Sequence, residues 1–72
     1  MQKEELKAVM ILNKDRQEDL AEALGMTLGT LSGRLNGKSV FRQDEIEAIA
    51  LRYKLTADDI QRIFFAKTVT LR

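Results

Sequence analysis

The chain has 72 residues, and its 12 lysines and arginines nearly balance its 11 aspartates and glutamates, for a net charge of +1. This length predicts one small domain spanning residues 1–72. Because cysteine and histidine are absent, disulfides are excluded, and we expect no cofactor and no metal. No apolar run approaches the roughly 18 residues that span a bilayer, and the polar, acidic N-terminus is unlike a signal peptide, so we expect no membrane partner.

Apolar residues recur with helical spacing along the whole chain, which contains no proline. The pattern predicts an all-α fold, a single compact bundle of about five short helices at residues 3–12, 17–24, 28–35, 43–53 and from 57 onward. Thr56 begins a predicted capping box for the fifth helix, with acids in the first turn where the helix dipole favours them. The alternating C-terminal tail at 67–72 is predicted to be either extended or frayed.

The inward faces of these helices predict a hydrophobic core, which stabilises the fold by about 1.5–3 kcal/mol for each large side chain buried. Val40 and Phe41 are predicted to turn inward and anchor the loop before the fourth helix. The other predicted core residues are Leu6, Val9, Met10, Leu20, Ala21, Leu24, Met26, Leu31, Leu35, Ile46, Ile49, Ala50, Leu55, Ile60, Ile63 and Phe64.

The most informative segment lies between residues 17 and 36 and has the pattern of two short helices joined by a tight turn. Gly25 permits the sharp turn, because glycine accepts a positive φ. Thr27 stands where the next helix needs an N-cap, and Asn36-Gly37 follows that helix as a left-handed stop. These features predict a helix-turn-helix, a motif whose second helix enters the major groove of DNA.

On these residues the chain resembles the Cro/C1-type (XRE) family of phage and bacterial regulators, over roughly residues 5–65. The matching positions are Gln17, Leu20-Ala21, Leu24-Gly25-Met26, Thr27, Leu31, Asn36-Gly37-Lys38, Phe41 and Glu45–Ala50. The resemblance implies that Gln17 braces a phosphate, that helix 28–35 reads bases and that the loop at 36–38 contacts the DNA backbone. It also implies a place of action in the cytoplasm of a bacterial host.

Segments 34–41 and 63–65 are more specifically similar to small regulators of temperate phages of Gram-positive hosts, among them the antirepressors of lactococcal phages. That resemblance implies a role in the lysis–lysogeny switch. The protein would bind the cognate phage repressor and block or alter its operator binding, and its own binding to operator DNA would be weak.

The predicted recognition helix departs from the family pattern at the positions that commonly read bases. Leu28, Gly29 and Gly33 stand there, and none of them carries the paired donors and acceptors that direct readout needs. Each of the two glycines also costs about 1 kcal/mol in a helix relative to alanine. Either a partner approaches this surface closely or the glycines are merely tolerated. Leu28, likewise, is either an exposed apolar contact or a half-buried cover for the turn.

The polar candidates for binding DNA or the repressor are Gln17, Thr27, Thr30, Ser32, Arg34, Asn36 and Lys38. Many relatives bury an apolar residue at the position of Arg34 and place a buried ion pair at the positions of Met10 and Leu35. The sequence therefore predicts a hydrophobic contact between Met10 and Leu35. Arg34 is then free to face solvent or a partner.

Charge is distributed unevenly along the chain. Residues 27–42 carry +3 and no acid, and this segment suits either phosphates or an acidic protein surface. Residues 15–24 carry −3. Their acids Glu18, Asp19 and Glu22 form either a solvated outer face or a surface that opposes DNA and suits a basic repressor.

Two functions follow from this reading. The first is an antirepressor that acts through the helix-turn-helix; the alternative is a Cro-like homodimeric repressor that binds operator DNA sequence-specifically. Phe65, Val69 and Leu71 are candidate dimer contacts in the second case, unless Phe65 covers the base of the first helix. An interaction module unrelated to transcription is a third alternative. An enzyme is not expected, because the chain lacks a His- or Cys-based nucleophile system and its carboxylates follow helix surfaces.

Overall fold

The computed structural model describes residues 1–65, which form short helices joined by turns and loops. The helices are α1 (Lys3–Leu12), α2 (Gln17–Leu24), α3 (Leu28–Leu35), α4 (Gln43–Tyr53) and α5 (Ala57–Ile60), and a π-helical turn, Gln61–Phe65, continues α5. No strand occurs in this part of the chain. The predicted all-α fold and the bounds of the first four helices are confirmed. The tail predicted to be extended or frayed lies outside the described residues.

Left-handed glycines end both helices of the helix-turn-helix. Gly25 follows α2 with φ 71°, and the N–H of the next residue donates to the Ala21 carbonyl at 3.0 Å. Gly37 lies just past α3 with φ 82°, and the N–H that follows it donates to the Gly33 carbonyl at 2.9 Å. These bonds satisfy carbonyls that a helix end otherwise leaves open. The predicted turn and the predicted stop are therefore confirmed.

Side chains close the N-terminal ends of α2, α3, α4 and α5. The Thr27 hydroxyl accepts from the Thr30 N–H at 3.1 Å, which confirms the predicted cap of α3. Before α2, α4 and α5, the N–H of the residue preceding the helix donates to a carboxylate three residues later, and the carboxylates belong to Asp19, Glu45 and Asp59. An acid in the first turn also interacts favourably with the helix dipole.

The described core is a single apolar cluster that all of the long helices share. Its buried members are Leu6, Met10, Leu20, Ala21, Leu31, Leu35, Phe41, Ile46, Ile49, Tyr53, Ile63 and Phe64, and Val9, Leu24, Met26, Leu55 and Ile60 pack against them half-buried. Both Met10 and Leu35 lie in this cluster, as the sequence predicts. Tyr53 is buried although the sequence analysis does not place it in the core, because its hydroxyl has a polar partner.

Val40 does not anchor the loop between α3 and α4, so that prediction is wrong. Its side chain is 83% exposed, whereas its neighbour Phe41 is buried. The ring of Phe41 meets that of Phe64 edge to face, with centroids 5.7 Å apart, a favoured aromatic geometry. Val40 and Phe41 lie in a non-helical segment, where the side chains of neighbouring residues point in different directions. When Phe41 is buried, Val40 therefore faces solvent.

The N-terminal helix is tied to the other end of the described chain. The Gln2 N–H donates to the Ile63 carbonyl at 2.7 Å. Arg62 donates to Glu5 at 2.7 Å and to Asp59 at 2.8 Å. These side chains are exposed, so the ion pairs contribute little, and the backbone bond sets the register of the contact.

A polar clamp joins the loop between α1 and α2 to the C-terminal end of α4. The Arg52 guanidinium donates to both carboxylate oxygens of Asp15, at 2.7 and 2.8 Å, and the Tyr53 hydroxyl donates to the same carboxylate. The Arg52 hydrogen bonds lower the pKa of Asp15 below its ordinary 3.8, with Tyr53 adding to the effect and partial burial opposing it. Burial, then the bond to Asp15, raises the pKa of Tyr53.

We expect Asp15→Asn to lower the free energy of unfolding at pH 7 by roughly 1–2 kcal/mol, because it removes charge-assisted hydrogen bonds that are only partly screened. A carboxyl with a lowered pKa stabilises the fold above its unfolded pKa and loses that contribution as pH falls through the folded value. Urea unfolding at pH 7 and pH 3 should therefore show a difference between variant and wild type that shrinks at acid pH.

The matched control for this clamp is Asp44→Asn, because Asp44 pairs with Arg42 at 3.3 Å while both side chains stay about two-thirds exposed. That change should shift the free energy of unfolding by less than about 0.5 kcal/mol. Equal losses in the two variants, or a difference between Asp15→Asn and wild type that does not depend on pH, would contradict the assignment.

Candidate binding surface around the helix-turn-helix

The surface of α3 presents an apolar residue at its start. Leu28, the first residue of the helix, is 47% exposed although it is large and apolar. Leu31 and Leu35 face the core instead and are fully or almost fully buried. Of the two predicted alternatives for Leu28, an exposed contact or a cover for the turn, the structure shows the exposed one.

Most polar side chains of α3 already have partners within the chain. The Thr27 hydroxyl donates to the Thr30 hydroxyl at 3.0 Å in addition to capping the helix. The Asn36 amide donates to Ser32 at 3.2 Å and accepts from Lys3 at 3.3 Å. Thr27, Thr30 and Asn36 are exposed, so they are within reach of a ligand, but each would exchange an existing bond for a new one.

Arg34 is not free to face solvent or a partner, so that prediction is wrong. Its guanidinium donates to both carboxylate oxygens of Glu45, at 2.7 and 3.1 Å, and to the Ser39 hydroxyl at 3.0 Å. The exposed fractions of the Arg34 and Glu45 side chains are 17% and 11%. The Arg34 bonds lower the pKa of Glu45, and the pKa of Arg34 is raised in turn. Arg34 therefore fixes the end of α3 to the start of α4.

The two glycines of α3 are not required by packing within the described chain. A Cβ atom on Gly29 would find its nearest neighbour, the Thr27 hydroxyl oxygen, at 4.0 Å. A Cβ atom on Gly33 would find the Lys38 Cβ at 4.0 Å. Both distances are ordinary van der Waals contacts, and neither glycine has a positive φ. Alanine would therefore fit at both positions.

Few exposed charges near α3 suit a phosphate backbone. Lys38 is exposed just past its end, and Gln17 is half-buried at the start of α2. On the same side, α2 carries Glu18 and Glu22, which are exposed and form no ion pair among residues 1–65. Asp19 differs from them, because it accepts from the backbone and side chain of the residue before α2.

The predicted site residues do not all lie together. Gln17 and Leu28 line one groove of about 450 Å³ beside the start of α2 and of α3. Arg34 lines a different cavity with Phe41 and Phe64. Ile11 is not among the site residues predicted from the sequence, but it lines the first groove and is 74% exposed. In the sequence, Ile11 stands out only because it is an apolar residue in the last turn of the first helix that does not lie on the inward face of that helix.

A comparison with known protein families assigns this chain to one of them. A family model described as helix-turn-helix (HTH_3) matches residues 6–60, which include the whole of α2 and α3. No curated protein and no solved structure matches the chain. The chain belongs to the helix-turn-helix family of XRE type, a family of DNA-binding transcriptional regulators that are generally not enzymes.

Among residues 1–65, no helix is both long and apolar enough to cross a membrane. No group of three or more acidic side chains in this range is arranged to hold a metal ion.

We expect Gly33→Ala to raise the free energy of unfolding by roughly 0.5–1 kcal/mol and Gly29→Ala, in the first turn, by less, because alanine restricts the unfolded chain and fits the open space. Gly25→Ala is the control and should destabilise the fold, because residue 25 has φ 71°. Urea unfolding of the three variants checks this. Loss of stability in Gly33→Ala would mean that the glycine is needed by the fold itself.

Proposed function

We propose that this protein regulates transcription as an antirepressor, by binding the DNA-binding surface of a cognate repressor through its own helix-turn-helix. The observation that carries the proposal is the surface of α3. Its one charged side chain, Arg34, is bound to Glu45, and Gly29 and Gly33 supply no side chain to read a base. Direct readout in the major groove depends on such side chains.

The charges beside α3 support a protein partner over a phosphate backbone. Glu18 and Glu22 are exposed on α2 and would repel phosphates. The same acids suit a basic surface, and the DNA-binding surface of a repressor is basic. Exposed Leu28 adds apolar area at the start of α3, which favours burial against another protein.

The partner is the repressor of a temperate phage, and the switch is that between lysis and lysogeny. Support for this part comes from the resemblance of segments 34–41 and 63–65 to small regulators of temperate phages. A protein with this role acts on transcription in the cytoplasm of the bacterial host and binds operator DNA only weakly when alone.

The alternative function is a Cro-like homodimeric repressor of operator DNA. It is favoured by the family itself and by the two residues that flank the motif, Gln17 at the start of α2 and Lys38 just past α3. In this case Thr27, Thr30, Ser32 and Asn36 would exchange their present hydrogen bonds for bonds to DNA.

A mobility-shift titration on switch DNA separates the two functions. It uses this protein alone, the repressor encoded in the same switch alone, and both together, at one stated moderate salt concentration because phosphate contacts are salt-dependent. An antirepressor leaves the DNA unshifted when alone and removes or remodels the band of the repressor. A specific shift by this protein alone below about 1 μM, in the range of specific binders, would establish the Cro-like function instead.

We expect Leu28→Asp to abolish binding to the repressor, with an affinity loss of roughly 100-fold or more, because a charge replaces an apolar contact at the interface. Folding should be nearly unaffected, since an acid in the first turn of a helix is favoured by the dipole. Isothermal titration calorimetry against the repressor and thermal unfolding measure the two effects.

The matched control is Leu51→Asp, which places the same charge on α4 at a leucine that is 82% exposed. It should bind the repressor like the wild type. Retained binding by Leu28→Asp would remove the start of α3 from the interface.

A further inference from the structure

An apolar groove runs beside the helix-turn-helix, and it reaches α1, which precedes the two helices of that motif. Its apolar lining consists of Met10 and Ile11 from α1 and Leu28 from α3. Ile11 is 74% exposed and Leu28 is 47% exposed, whereas Met10 is nearly buried and forms the floor. The volume of the Ile11–Leu28 groove, about 450 Å³, is enough for one or two large side chains.

The charged side chains around the Ile11–Leu28 groove differ in whether they already have an ion-pair or hydrogen-bond partner within the described chain. Asp15 is held by Arg52 and Tyr53, and Arg16 is held by Asp19. Glu18 lies at the α2 side of the groove and is exposed without an ion pair in the described chain. With Glu22 further along the same helix, it gives this side an acidic rim.

Lys7 and Gln17 complete the lining. Lys7 is half-buried, and a lysine in such a position covers apolar surface with its stem while its ammonium group stays in water. The amide of Gln17 supplies both a donor and an acceptor for a peptide group. The groove therefore combines an apolar floor, an amide, an acid on the α2 side that has no ion pair in the described chain and a lysine on the α1 side, which is the chemistry of a site for a peptide segment.

We propose that the Ile11–Leu28 groove receives an apolar side chain of the partner repressor, with an adjacent arginine or lysine of that repressor pairing with Glu18. This inference rests on the proposed antirepressor function and extends its interface from α3 to Ile11 of α1. Charge complementarity at Glu18 favours a basic occupant, and the surface that a repressor presents to DNA is basic. A phosphate backbone at the same place would be repelled by Glu18 and would meet the apolar floor.

The test is Ile11→Lys, measured against the purified repressor of the same switch and, separately, against switch DNA. A lysine in the last turn of α1 is favoured by the helix dipole, so the fold should be preserved. It removes the apolar contact and repels a basic partner, and we expect a loss of repressor affinity of about 10- to 100-fold. Ile11→Met, which keeps an apolar side chain of similar volume, should bind within about 3-fold of the wild type.

The matched control is Leu12→Lys, which puts the same charge on the next residue of α1, at a leucine that is 81% exposed and does not line the groove. It should bind the repressor like the wild type. Glu18→Gln, which removes the rim charge, should weaken repressor binding by about 3- to 10-fold at low salt and by less at high salt.

The outcomes separate failure of the groove from failure of the function. If the wild type binds the repressor and Ile11→Lys binds equally well, the groove is not part of the interface although the antirepressor function stands. If the wild type does not bind the repressor, both ideas are overturned. If Ile11→Lys instead strengthens binding to switch DNA, the groove faces phosphates, since an added cation improves only that contact.

Discussion

Arg34 is the one charged side chain of α3, and the chain uses it internally. Its two bonds to Glu45 and one to Ser39 join the end of α3 to the loop and to the first turn of α4. Glu45 also accepts the N–H of the residue before α4, so a single carboxylate closes a helix end and holds the guanidinium. Breaking this pair to free Arg34 for a ligand would leave a largely buried carboxylate without its cation, which is costly. The same contact helps to position α4, which supplies Ile46, Ile49 and Tyr53 to the core.

This internal use of Arg34 has a direct consequence for the surface. A helix that enters a major groove needs side chains that reach beyond the backbone, whereas α3 offers Leu28, two glycines and short hydroxyls that already have partners. The remaining surface is apolar at its start and lies next to acids on α2. The scaffold of the family is thus retained, while the helix that would enter the major groove offers only short polar side chains for reading bases.

The local parts of this structure could be predicted from the sequence, because each depends on residues only a few positions apart. Gly25, Thr27 and Gly37 fix the ends of α2 and α3 through bonds within five residues, and the predicted bounds of both helices are confirmed. The parts that could not be predicted join distant residues. Arg34 and Glu45 are 11 positions apart, and Asp15 and Tyr53 are 38 apart. No periodicity in the sequence indicates such pairs, and the Ile11–Leu28 groove depends in the same way on how α1 and α3 come together.

The glycines of α3 connect stability with function. A chain of 72 residues buries a small core, so each kilocalorie per mole is a large part of its total stability. Gly29 and Gly33 lower that stability although the fold has room for alanine at both positions. The described fold therefore gives no packing reason for glycine at either position. Because the two glycines lie four residues apart on one face of the helix, a single extended or helical segment of a bound partner would contact both.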